Sequence, residues 1–142
     1  MLIVVALIAI LAGVAFPAVG AGLDALRLAT AADTVAAFLQ TAVNRTERTQ
    51  RMMELSISRS DNTLELAGEN YQKRYHLEDG VKIADVLPAE PVDPLLPRRF
   101  LLYPGGAPPR IAIRIANRRG SQRLISLDSI TGVAHIEKPA AQ

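Results

Sequence analysis

The sequence predicts an α+β fold: one long N-terminal helix packed on a small antiparallel β domain. Three observations carry this. Residues 1–23 contain no charged residue, and 19 of the 23 are Ala, Val, Ile, Leu, Met or Phe. From Leu23 to about Arg48 apolar residues recur at three- and four-residue steps, the period of an amphipathic helix. After Gln50 the period falls to two, and turn residues punctuate about seven or eight short strands. One helix followed by a run of strands is an α+β layout. A chain of 142 residues suits one domain. The composition, with no Cys, no Trp and a net charge of +2, argues against a disordered chain, a multi-span membrane protein, a disulfide-stapled mini-domain and a cysteine-based metal site.

The first element is the uncharged end. A 23-residue helix would reach roughly 35 Å at about 1.5 Å per residue, against a hydrocarbon core of roughly 30 Å. Residues 1–23 therefore read as a transmembrane helix. A buried core helix would usually show a polar stripe. A cleaved secretory signal would want basic residues first and a shorter apolar stretch. A retained membrane anchor is favoured over both. Pro17 removes a backbone donor and crowds the carbonyl of Gly13, giving either a tolerated kink or a hinge. Gly20-Ala21-Gly22-Leu23-Asp24-Ala25 fits a dinucleotide fingerprint, but it lacks the preceding strand and the later acid. Small residues that ease helix packing are the better reading.

The second element, 24–48, is amphipathic. Leu28, Ala32, Val35, Leu39, Ala42 and Val43 form its stripe, while Asp33, Gln40, Asn44, Glu47 and Arg48 occupy other faces. The stripe has one obvious place to go, a face of the sheet built by residues 49–142. In that region Met53, Leu55 and Ile57 alternate with polar residues, Ser60-Asp61-Asn62 turns, and Leu64 and Leu66 return. Tyr71 to Leu77 and Val81 to Val86 are a third and a fourth strand. Pro88, Pro91, Pro94 and Pro97 mark an extended connection that is poor in ladder donors. Phe100 to Tyr103, Ile111 to Ala116, Arg123 to Leu127 and Val133 to Glu137 complete the strands.

Catalytic signals are missing. His76 and His135 lie in strand-like segments without ligand spacing, and no P-loop, H-x-x-x-H, C-x-x-C or G-x-S-x-G motif occurs. The chain reads as a non-enzyme with no cofactor, no metal and no small-molecule substrate. Asn44-Arg45-Thr46 is a formal glycosylation sequon, but it falls on the predicted helix. One charge feature stands out. Arg98, Arg99, Arg110, Arg114, Arg118, Arg119 and Arg123 give seven positive charges with no acid among them. They form either a solvated edge that blunts strand pairing or a patch for an anionic partner. No aromatic residue follows Tyr103, which argues against stacking on single strands.

The order of parts resembles the type IV pilin-like superfamily. Met1-Leu2-Ile3-Val4-Val5-Ala6-Leu7-Ile8-Ala9-Ile10 and Pro17 look like its N-terminal segment. Phe100-Leu101-Leu102-Tyr103-Pro104-Gly105-Gly106, followed by Ile111-Ala112-Ile113, looks like the turn and strand of H-type minor pseudopilins of type II secretion (GspH/FimT-like). Leu127-Asp128-Ser129-Ile130-Thr131-Gly132-Val133 looks like their closing hairpin. Members carry a basic leader and a Gly-Phe-Thr-Leu-x-Glu processing site just before such a run, whereas this run begins at Met1. A start placed too late is the expectation, and an upstream in-frame stretch of that kind is its check. Prepilin processing and N-methylation fall on no residue here.

The resemblance implies assembly rather than catalysis. The membrane and filament-core residues would be Leu2, Ile3, Val4, Val5, Leu7, Ile8, Ile10, Leu11, Val14, Phe16 and Pro17. The partners would be other pseudopilins and the inner-membrane secretion assembly platform. The location would be the bacterial inner membrane, single-pass, with the C-terminal domain periplasmic. Two alternatives stand beside this. One is a FimT-like minor pilin that binds DNA through Arg98–Arg123. The other is an unrelated periplasmic domain on an uncleaved signal anchor.

Overall fold

The computed structural model describes residues 1–89, 93 and 95–138, without the side chains of 14–19 and 21. Val14, Phe16, Pro17, Ala21, Pro91 and Pro94, named above, therefore lie outside the described side chains or residues.

Helix α1 runs Leu2–Thr49, about 72 Å at 1.5 Å per residue. It stops where Gln50 turns left-handed (φ 54°) and donates its N–H to the Thr46 carbonyl at 3.0 Å, closing one of the orphan carbonyls of the last turn. The C-terminal half of α1 is docked. Leu28, Ala31, Ala32, Val35, Phe38, Leu39 and Ala42 are buried, one stripe at helical spacing. It contains the predicted stripe, with Val43 at its half-buried margin.

The strands follow in the predicted order. They are β1 (Met53–Ser58), β2 (Thr63–Gly68), β3 (Tyr71–His76), β4 (Val81–Leu87), β5 (Arg98–Leu102), β6 (Ile111–Asn117), β7 (Gln122–Leu127) and β8 (Ala134–Glu137). The expectation of one sheet is corrected. There are two four-stranded sheets, ordered β3-β2-β1-β5 and β4-β6-β7-β8, antiparallel throughout. Side chains alternate across a strand, so Met53, Leu55, Ile57, Leu64 and Leu66 face the core from the first sheet. Ile111, Ile113, Ile115, Ile125 and Leu127 face it from the second. Helix α1 lies mainly on β6, β7 and β8.

The seam between the sheets is made by side chains rather than by strand pairing. Among the described residues β4 pairs only with β6, and its other edge would leave backbone groups open. Asn62, at φ 56°, donates to the Val81 carbonyl (2.8 Å) and accepts from the Ile83 N–H (2.9 Å). Arg59 donates to the Ala84 carbonyl. Arg98 donates to the carbonyls of Val86 (3.3 Å) and Pro88 (2.6 Å). Two residues of the β1–β2 turn and one of β5 thus close the edge of β4.

Candidate functional site

Polar contacts from α1 tie its docked half to three loops. Asp24 accepts from the Arg119 guanidinium at 2.9 Å through its carboxylate, and from Asn117 at 3.4 Å through its backbone carbonyl. The Gln40 amide donates to the Gly132 carbonyl (3.0 Å) and accepts from the Ala134 N–H (3.1 Å), standing in for a missing strand beside β8. The Glu47 carboxylate accepts the Gly105 N–H at 3.1 Å. Gly105 sits at φ +74°, a left-handed conformation that suits glycine in this turn. Only the types and spacing of Asp24, Gln40 and Glu47, polar residues flanking an apolar stripe, hinted at these clamps.

Residues 2–11 of α1 make none of these contacts. Leu2, Ile3, Val4, Val5, Leu7, Ile8, Ile10 and Leu11 are all exposed, from 56% at Leu7 to 88% at Leu2. Leu23 and Leu26, which the sequence reading did not single out, are exposed as well. Exposed apolar surface on this scale is uncommon on a monomeric protein. Burying each such side chain is favourable by about 1.5–3 kcal/mol. The Gly20–Ala25 segment lies within the same continuous helix, without the strand a dinucleotide fold requires.

The seven arginines do not share one surface. Arg98 and Arg99 belong to β5 of the first sheet. Arg114 and Arg123 lie in the second sheet, Arg118 and Arg119 in its β6–β7 turn, and Arg110 just before β6. Arg98 is part of the seam and lies 5.2 Å from the Phe100 ring. Arg99 meets Glu54 at 3.6 Å, Arg114 meets Asp85 at 4.0 Å, and Arg119 meets Asp24. The register sets Arg123 opposite Ile115 and Arg114 opposite Leu124, on opposite faces of their sheet. Both histidines are exposed on edge strands, His76 on β3 and His135 on β8. The sequon lies on α1, where buried Thr46 gives its hydroxyl to the Ala42 carbonyl at 2.8 Å.

Among the described residues three groups are shifted from their ordinary range. The Arg74 and Gln72 hydrogen bonds hold Glu65 below it. The Ile130 N–H, donated at 2.7 Å, does the same for Asp128. Burial raises Tyr75. Glu65 lines a polar trough of about 550 Å³ on the outer face of the first sheet, with Ser56, Ser58 and Thr63 on its floor. Its bases Arg74 and Arg99 already face carboxylates.

No family model matches the sequence, and no curated protein matches it. A solved structure does. The chain is similar to the minor pseudopilin EpsH from the type 2 secretion system of Vibrio cholerae, with a TM-score of 0.61 and 12% sequence identity. The match covers 81% of this chain and 99% of that one. The chain has a pilin-like fold. In the pilin-like chain the docked half of α1 and the two sheets form the domain, and the exposed apolar half extends beyond it. One expectation is overturned at this end. Among the described residues no helix is long and apolar enough to cross a membrane. Single-pass anchoring in a bacterial inner membrane with a periplasmic domain is therefore not supported.

Proposed function

We propose that this chain is a minor pseudopilin of a type II secretion pseudopilus, of the H type. In this reading it assembles by packing Leu2 to Leu11 of α1 against the apolar helices of neighbouring pseudopilins. Its partners are those subunits and the secretion assembly platform, and the β domain is the outer surface. The observation that supports this best is the eight-residue apolar set standing free of a pilin-like domain. Such side chains gain by moving from water into a helical core. The role is structural, with no catalytic step assigned to any residue. The seven arginines would be a structural and solvated set, since three face carboxylates and Arg98 closes a sheet edge.

The test places a photo-reactive amino acid at Ile8 or Leu11 of the full chain, in cells that carry a type II secretion system. The expected product is a crosslink to the apolar helix of another pseudopilin. The same probe at Arg51, just past the opposite end of α1, should give no such product. Equal crosslinking from both positions, or none from Ile8 and Leu11, would reject the reading.

A further inference from the structure

The end of α1 nearest β3 carries a group that neither the fold nor the assembly reading uses. Arg45 is half-buried, and its guanidinium carbon lies 3.5 Å from the centre of the Tyr71 ring. The ring holds the guanidinium plane in place. The Arg45 Nε is buried and has no hydrogen-bond partner. A buried donor without an acceptor is costly, so its persistence asks for an explanation. Arg48 is one turn further along the same face and is exposed. Among the described residues no carboxylate lies within 4.0 Å of either guanidinium.

Arg45 and Thr49 separate two adjoining hollows. One, of about 430 Å³, is lined by Thr41, Asn44, Arg45, Arg48 and Thr49, all able to donate hydrogen bonds and none acidic. The other, of about 220 Å³, has a more apolar wall that includes Met52, Met53, Gly68 and Tyr71. Its acid, Glu69, is held by Arg51. We propose that this double hollow binds an acidic peptide segment of a partner protein. A carboxylate would lie between Arg45 and Arg48, and a neighbouring apolar side chain would rest against Met52 and Tyr71. The charge asks for a carboxylate, because guanidinium forks match it in two-pronged fashion. The apolar second hollow asks for a chain that carries both kinds of group. The proposal does not depend on the assembly reading, since the site lies on the docked half of α1 and on β3.

The experiment uses the full chain in detergent micelles, with empty micelles as the blank. The probe is a fluorescent peptide of alternating glutamate and leucine, followed by anisotropy. Arg48→Gln changes an exposed residue and should leave thermal unfolding in place while weakening binding about tenfold, the usual scale of one charge-assisted contact. Arg45→Gln should weaken it at least as much, and Arg45→Lys should restore part of the loss. Glutamine in place of the glutamates should abolish binding, and alanine in place of the leucines should weaken it severalfold. No binding of the glutamate peptide would overturn the proposal. So would equal binding of the glutamine peptide, or binding unchanged by both Arg48→Gln and Arg45→Gln. Retention of duplex DNA or inorganic phosphate at this site with the peptide excluded would also overturn it.

Discussion

The two halves of α1 are one helix under two sets of physical demands. In the docked half apolar residues occupy one stripe, and Leu39 is 1% exposed. In the free half they occupy every face, and Leu11 is 69% exposed. The same residue type is thus core in one half and bare surface in the other. Both lie in one continuous helix, so helix formation does not separate them. Tertiary contact does. The docked half has two sheets to bury its stripe and clamps at Asp24, Gln40 and Glu47. The free half leaves its apolar side chains exposed.

This contrast can be broken most forcefully at Leu39. Leu39→Ala should destabilise the domain by about 2–5 kcal/mol, because it opens a cavity in a packed core. Leu11→Ala, the same chemical change on the free half, should stay within about 0.5 kcal/mol. Denaturant unfolding of both variants, followed on the β domain, makes the comparison. Equal losses would mean that the free half also packs on the domain.

The seam comes next in size. Asn62→Ala removes two backbone partners of β4 and places a non-glycine residue without a polar side chain at φ 56°. The expected loss is about 2 kcal/mol. Asn62→Gly, which relieves the backbone but not the lost bonds, should recover only part of it. Full recovery would show that conformation, rather than the seam bonds, is what Asn62 supplies.

A smaller effect is expected at the Gln40 clamp. Gln40→Glu keeps an acceptor for the Ala134 N–H and loses the donor to the Gly132 carbonyl. A loss of about 1 kcal/mol should follow, with faster amide exchange at the start of β8. Unchanged exchange there would remove the clamp from the account of how α1 docks.

The smallest effect concerns the β7–β8 turn. The Asp128 carboxyl is lowered by the Ile130 N–H, so its contribution is present above the ordinary aspartate value of about 3.9. That contribution fades as pH falls through the lower folded value. The Ile130 amide should lose protection only below that range, and Asp128→Asn should remove the pH dependence. A transition near neutral pH would point to another group.

Much of the fold was legible because the sequence period is a direct record of backbone geometry. Alternation at Met53, Leu55 and Ile57 placed β1 and the face it buries. The stripe from Leu28 to Ala42 placed the docked helix. What period cannot report is which strand lies beside which. The split into two sheets depends on Asn62, Arg59 and Arg98 closing an edge, and nothing in the local pattern distinguishes those residues from ordinary surface. The arginine run looked like one feature because it is continuous in sequence. Its members sit in different sheets, on different faces and beside different acids, so nearness in sequence did not become one surface.

The sequence by itself determined the elements: one uncharged helical end, one amphipathic continuation and about seven or eight short strands. Local sterics and hydrophobic period suffice for that, since each element's pattern is written in its own residues. Tertiary structure alone decided the division into two sheets, the side-chain seam, the clamps on α1 and the stacking of Arg45 on Tyr71. Each of these depends on groups far apart in the chain meeting in space, and burial and hydrogen bonding are settled only where they meet.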